Sequence, residues 1–231
     1  MKTIGMIGGM SWESTAIYYQ IMNRYAAECL GGLNSAKCLL YSVNFEDVQH
    51  LQHLGKWEEL TTMMLDAAQT LERAGADLLM VCTNTMHRMA SEIEQAVQIP
   101  FLHIADPTAE AIKQGGLKKV GLLATRFTME QDFYLGRLRE KHGLDVVVPN
   151  ADERTVVHEI IYQELCRGIV RESSRDQYLH ILQRLVDQGA EGIILGCTEI
   201  TMLISPADCP VPAFDTTGLH ARQAVDWALA D

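Results

Sequence analysis

Gly189-Ala190-Glu191-Gly192-Ile193-Ile194-Leu195-Gly196-Cys197-Thr198-Glu199 is the stretch that decides the fold. The apolar run Gly192 to Leu195 is bounded by small and polar residues. It reads as a strand buried on both faces of a parallel sheet, because such strands lack in-out alternation. The strand delivers Cys197 to its carboxyl end, where open α/β sheets bind ligands. The first half holds a near copy, Gly75-Ala76-Asp77 then Leu78-Leu79-Met80-Val81 then Cys82-Thr83-Asn84-Thr85, displaced by 114 residues. Aligned on the two Gly-Ala-acid triplets, Thr83 falls opposite Cys197 and Cys82 opposite Gly196.

Outward from these two stretches the chain alternates strands and helices. Thr3 to Ile7 reads as a strand and Thr15 to Leu30 as a helix capped by Ser11 or Ser14. The Gly8-Gly9-Met10-Ser11 turn between them has neither the Gly-Lys-Ser/Thr of a phosphate loop nor dinucleotide-binding spacing. It is either a plain strand-to-helix turn or a lip of backbone N–H groups facing an anion. A strand over Ala36 to Asn44, a polar connection at His50 to Gly55 and a helix over Trp57 to Ala74 follow. After the strand Asp77 to Val81 come a helix at Met86 to Val97, a strand at Pro100 to Ile104 and a helix at Thr108 to Gln114. Gly115-Gly116 marks the change of halves. Lys119 to Leu123 restarts the pattern, with Thr125 and Thr128 in the turn and a helix over Met129 to Lys141. Tyr134 there repeats Tyr18 at an offset of 116. The remaining elements are a strand at Val146 to Val148, a helix at Asp152 to Gly168 carrying Arg167, a helix at Ser174 to Gln188, a strand at Pro210 to Phe214 and a helix from Gly218 to Leu229.

This alternation predicts an α/β protein. The repeat predicts two similar Rossmann-like parallel-sheet domains, 1–115 and 116–215, related by a pseudo-twofold axis with the active site in the cleft between them. A C-terminal helix at about 216–231 is expected to pack back on the first domain. Such symmetry would set Thr83 and Cys197 on opposite sides of one small molecule.

The bulk properties exclude several classes. With 48% hydrophobic residues in 231, a sizeable core is expected. The net charge of −11 speaks against nucleic acid, which needs a basic surface. It leaves room for an anionic small substrate held by a few local arginines. The six cysteines, at 29, 38, 82, 166, 197 and 209, form no CxxC pair. They fit free thiols of a reducing cytoplasm. No apolar run approaches membrane-spanning length, and Met1-Lys2 leads into a first strand, not a signal peptide.

Two groups on opposite sides of a small molecule suit inversion at a carbon acid: one removes a proton, the other returns one to the far face. A thiolate suits this work because cysteine titrates near neutrality, at about 8.5 when free. Alone, a cysteine at a buried strand end would be a small hydrophobe; the repeat and the following Thr198-Glu199 favour function. No lysine stands in either strand-end motif to carry pyridoxal phosphate, and no His/Cys/Asp set has zinc spacing. The expectation is therefore no cofactor and no metal. His87 and His103 are isolated and read as hydrogen-bonded structural histidines.

Gly196-Cys197-Thr198-Glu199 and Asn84-Thr85-Met86-His87 resemble the two signature motifs of the aspartate/glutamate racemases. So do Ile7-Gly8-Gly9-Met10-Ser11 with Ser14-Thr15 and Tyr18-Tyr19, and Gly121-Leu122-Leu123-Ala124-Thr125 with Thr128-Met129. The resemblance covers the whole chain and points to the aspartate racemase branch. It implies a cofactor-independent racemase with a cysteine in each half as acid and base, two α/β domains, a homodimer and an acidic amino acid as substrate. This chain departs in one place: the family's first motif begins with cysteine directly before Asn-Thr, and here Thr83 stands there. Cys82 is one residue early, and on a strand that shift turns the side chain to the other face.

The assignment that follows has Cys197 deprotonating an L-amino acid and Thr83 serving the opposite face. By the same resemblance Arg167 matches a position that holds a substrate carboxylate. Aspartate-specific relatives carry a second arginine after the second strand. Gln49-His50-Leu51-Gln52 has none, so Gln52 offers a hydrogen bond in a more tolerant pocket. Asn84, Thr85 and Thr198 are expected to supply donors to the carboxylate or the developing enolate, and Met10 and Thr128 to line the lips of their turns. Two rivals stand beside this reading. A single-cysteine decarboxylase or isomerase of the same superfamily would protonate one face of an enediolate, and a non-catalytic protein would simply bind an acidic amino acid.

Overall fold

The computed structural model describes residues 1–230. Strands β1 (Ile4–Gly8), β2 (Cys38–Ser42), β3 (Leu78–Val81) and β4 (Phe101–Leu102) form one parallel sheet in the order β2-β1-β3-β4. Strands β5 (Lys119–Leu123), β6 (Asp145–Val147), β7 (Gly192–Leu195) and β8 (Ala213–Asp215) form a second with the same topology, β6-β5-β7-β8. The helices are α1 (Trp12–Leu30), α2 (Phe45–His53), α3 (Trp57–Arg73), α4 (Ala90–Ala96), α5 (Ala105–Gln114), α6 (Arg126–Glu130), α7 (Asp132–Gly136), α8 (Ala151–Gln163), α9 (Glu172–Asp187), α10 (Ile200–Leu203) and α11 (Thr216–Leu229). This is the two-sheet, Rossmann-like α/β fold the repeat predicts. The chain divides into two compact units, Met1–Ile104 with His220 onward, and Ala105–Leu219.

The Gly-Ala-acid triplets have a physical reason. Gly75 and Gly189 follow α3 and α9 with φ of 93° and 91°, a region glycine enters without a steric penalty. The acid two residues on then staples the start of the neighbouring strand. Asp77 Oδ2 accepts from the Thr3 backbone N–H at 2.7 Å. Glu191 Oε2 accepts from those of Lys118 and Lys119 at 2.8 and 3.1 Å. Tyr18 and Tyr134, the other repeated pair, are both fully buried.

In the first unit, alternation along the strands divides the core into two layers. Ile7, Leu79 and Val81 pack with Val48 of α2, Leu60 and Met64 of α3 and Ile93 of α4. Met6, Leu78, Met80 and Cys82 pack with Tyr18 and Met22 of α1 and Ala221, Ala224 and Val225 of α11. Each fully buried aliphatic side chain contributes roughly 1.5–3 kcal/mol, so the register of β1 and β3 is firmly set.

Several expected boundaries are corrected. The polar connection expected at His50 to Gly55 is mostly helix α2, whose Val48 and Gln52, four residues apart, turn inward behind a charged outer face. The strand expected from Pro100 to Ile104 is only Phe101–Leu102. Helix α5 begins at Ala105, with Pro107 in its first turn, where a missing N–H is tolerated. Helix α5 also belongs to the second unit, although the expected boundary at 115/116 placed it in the first. Its Asp106 accepts two bonds of 2.7 Å from Arg137 and bonds of 2.8 Å from Lys141 and His142, all in the second unit. The helix expected over Met129 to Lys141 breaks at Gln131, which is extended, into α6, α7 and a π turn at Arg137–Lys141. The helix expected over Met86 to Val97 opens as a 3-10 turn, Thr85–Met89, before α4. Helix α11 belongs to the first unit from His220 onward, and Asp231, the last residue of the expected C-terminal helix, lies outside the described residues. Among the described residues no helix is long and apolar enough to cross a membrane.

Candidate active site

Strand β7 pairs with β5 in register, Leu195 beside Leu123, and the next residue, Gly196, donates its N–H to the Leu123 carbonyl at 2.8 Å. A Cβ on Gly196 would stand 2.8 Å from Leu122 Cδ1 and 3.2 Å from the Leu123 carbonyl oxygen. Only glycine lets the chain pass there and present Cys197, which is partly exposed. The next two residues are buried, Thr198 at 5% and Glu199 at 4% exposure. Cys197 Sγ donates to Glu199 Oε2 at 2.9 Å, and Thr198 Oγ donates to the same oxygen at 2.7 Å.

Burial pushes the Cys197 thiol well above its ordinary value, and the Glu199 carboxylate and Cys166 push it further. The backbone N–H of Glu199, aimed at the sulfur, acts in the opposite direction. The balance keeps Cys197 protonated at neutral pH, with its proton on a hydrogen bond to a carboxylate. Tyr162 of α8 and Tyr178 of α9 stand around this centre. Burial raises both phenols, and the thiols of Cys166 and Cys197 add to the effect. Tyr178 is tied by a 3.1 Å bond to the Val157 carbonyl.

In the first unit Cys82 is fully buried in the layer against α1 and α11, and burial pushes its thiol far up. It is a core cysteine, turned away as the one-residue shift requires. Thr83 follows, partly exposed, at the end of β3. His87 holds its backbone. The His87 ring accepts the Ile104 backbone N–H on Nε2 at 3.1 Å, so the ring proton sits on Nδ1, which lies 2.8 Å from the Thr83 carbonyl oxygen and donates to it. Both ring nitrogens are engaged, which makes His87 a clamp on the strand end.

The other expected residues sort by unit. In the first, Asn84 and Thr85 are buried at the head of the 3-10 turn Thr85–Met89. Met10 lies in the core layer with Met86, and buried Gln52 donates to Met86 Sδ at 3.3 Å. The turn carrying Met10 is internally bonded: Gly9 N–H donates to Thr15 Oγ at 2.8 Å and Ser14 N–H to Ser11 Oγ at 3.3 Å. In the second unit Thr128 is buried in α6, which Thr125 caps. Arg167 is exposed on a 3-10 turn, Leu165–Arg167, after α8 ends at Gln163, not on the helix expected over Asp152 to Gly168. Thr198 has its hydroxyl proton committed to Glu199, so towards any ligand its oxygen acts as an acceptor. Glu199 was not among the expected site residues; its signal in the sequence is an acid two places after a strand-end cysteine.

Comparison with known proteins places these motifs. The family model for Asp/Glu/hydantoin racemases matches residues 7–224. A Yersinia pestis crystal structure provisionally assigned as an Asp/Glu racemase is 53% identical over all of both chains, with a TM-score of 0.93. An aspartate racemase homologue from Pyrococcus horikoshii OT3 is 36% identical, again over all of both chains, with a TM-score of 0.85. The broad specificity amino-acid racemase RacX of Bacillus subtilis strain 168 is 25% identical over 98% of each chain. The chain belongs to the Asp/Glu/hydantoin racemase family.

Proposed function

We propose that this protein racemises acidic amino acids, L-glutamate and L-aspartate among them, without a cofactor. Cys197 exchanges a proton with one face of Cα, and the Thr83 side serves the other. The observation that carries this reading is the Cys197 thiol, presented at the end of β7 and hydrogen-bonded to a buried carboxylate at 2.9 Å. A cysteine that merely filled the core would have no such partner. Arg167, exposed and in no ion pair among the described residues, is available for a substrate carboxylate. The resemblance further supports a cytoplasmic homodimer, which sedimentation of the pure protein would test.

Polarimetry with L-glutamate and L-aspartate, run beside Cys197→Ala, tests the activity. Rotation should fall to zero with the wild type and stay constant with the variant. If both leave the rotation unchanged while still binding the amino acid, the protein is a binder and not a racemase. One observation favours a second reading: a resting thiol is also the form that a single-cysteine decarboxylase uses to protonate an enediolate. Release of CO2 from an arylmalonate, without change in amino-acid rotation, would establish that alternative.

A further inference from the structure

We infer that Glu199 is the proton station of Cys197, a positioning residue that takes the thiol proton so that the sulfur can act as a base; this rests on the racemase reading above. The geometry carries it. One oxygen, Glu199 Oε2, receives both the Cys197 thiol at 2.9 Å and the Thr198 hydroxyl at 2.7 Å. The carboxylate is 4% exposed, so bulk water does not compete freely for that oxygen. The same residue directs its backbone N–H at the sulfur, where negative charge would appear.

The need is chemical. A thiol has no lone pair basic enough to take a proton from Cα, and this thiol rests protonated. In the proposed step the S–H bond of Cys197 breaks and an O–H bond forms on Glu199. The thiolate then takes the Cα proton of the L-amino acid, which restores the thiol and leaves a carbanion. The Thr83 O–H then breaks as its proton joins the opposite face of the carbanion, and the cycle closes when Glu199 releases one proton to solvent and the Thr83 oxygen takes one up. Charge and protons balance, and no redox partner is involved. The Thr198 hydroxyl bond fixes Oε2 towards the sulfur.

The sequence repeat sharpens the point. At the offset of 114, Glu199 corresponds to Thr85. The half that carries the thiol carries the carboxylate, and the half that carries Thr83 has a hydroxyl in its place. Titratable groups near the pair include Tyr162 of α8, Cys166 and Tyr178 of α9. Burial raises both phenols.

The test is exchange of the α-hydrogen of L-glutamate in D2O as a function of pH, with wild type, Glu199→Gln and Glu199→Asp. For Glu199→Gln the expected result is a fall in kcat on the order of 10²-fold at pH 7, with little change in KM. Exchange should then recover towards the wild-type rate as rising pH removes the thiol proton directly. Glu199→Asp should restore part of the rate at pH 7. Iodoacetamide alkylation of Cys197 in Glu199→Gln should begin at lower pH, because the neighbouring negative charge is gone. Faster exchange in Glu199→Gln than in wild type at pH 7 would show that the carboxylate only suppresses the thiolate, and overturns the inference. So does a rate depressed equally at every pH, which marks a packing role. If Glu199→Gln does not fold, Glu199→Asp decides alone: a deficit at pH 7 that disappears as pH rises supports the inference, and a rate depressed equally at every pH overturns it. Absence of exchange in the wild type itself would instead count against the racemase reading.

Discussion

The thiol of Cys197 lies 2.9 Å from the carboxylate oxygen of Glu199, two residues further along the same strand-end turn. A buried carboxylate beside a thiol makes the thiolate harder to form, not easier. Thiolates at reactive cysteines are usually favoured by a cation or a helix N-terminus. Here the arrangement suits a group that must hold a proton as readily as it gives one up, which is the requirement of a step run in both directions.

Replacing Thr83 by cysteine should accelerate racemisation. A hydroxyl titrates far above a thiol, so if Thr83 serves the far face as proposed, a thiol there brings the group nearer the working pH. Turnover of L-glutamate followed by polarimetry should rise about 10-fold or more. Because the equilibrium constant is one, kcat/KM should rise equally for the D-enantiomer. A Thr83→Cys protein no faster than wild type, although its introduced thiol can be alkylated, would count against a role for position 83 in proton transfer.

Removing the His87 ring should destabilise the protein more than it alters the chemistry of Cys197. His87→Ala leaves the Thr83 carbonyl and the Ile104 N–H without the ring. Each such buried loss costs about 1–3 kcal/mol, so urea unfolding should report a loss of roughly 2 kcal/mol or more. The alkylation profile of Cys197 should be unmoved. A shift in that profile without loss of stability would contradict the clamp.

Asp106 should govern acid stability of the second unit. Burial alone would raise its carboxyl, but hydrogen bonds from Arg137, Lys141 and His142, with the charge of Arg137, outweigh this and hold it far below the usual carboxylate range. A depressed folded-state value means stability that is present above the unfolded value, about 4, and is lost as pH falls below it. Asp106→Asn should lower stability at pH 7 by about 2 kcal/mol and flatten the decline in melting temperature below pH 4. A variant with the wild-type acid profile would remove Asp106 from this role.

Gly196→Ala should be poorly tolerated. The new methyl meets Leu122 Cδ1 at 2.8 Å and the Leu123 carbonyl oxygen, part of the backbone, at 3.2 Å. Overpacking of this kind costs typically 1–3 kcal/mol, and it would also displace Cys197. A loss of both melting temperature and α-hydrogen exchange is expected; full activity at unchanged stability would contradict the tight passage between β5 and β7.

Much of this was legible in the sequence for identifiable reasons. The apolar runs Leu78 to Val81 and Ile193 to Leu195 have few alternatives to buried strands, and the Gly-Ala-acid triplets mark the same turn twice. The alternation that turns Cys82 into the core needs only the strand period. Less legible were features set by tertiary contacts. Helix α2 is short and polar, and only Val48 and Gln52 face inward, so its periodicity is faint. Helix α5 sits with the second unit because Asp106 meets three distant basic side chains, which no local pattern reveals. Glu199 stood in the quoted motif, yet its contact with the sulfur depends on a side-chain rotamer fixed by burial and by Thr198.

Cys197 is the group proposed to work on the α-proton of an L-amino acid. Proton NMR of L-glutamate and L-aspartate in D2O, with wild type and Cys197→Ala at equal concentration, tests it directly. The α-proton signal should decay with the wild type, in step with loss of optical rotation, and should persist with the variant. Decay at the wild-type rate in Cys197→Ala would contradict the account.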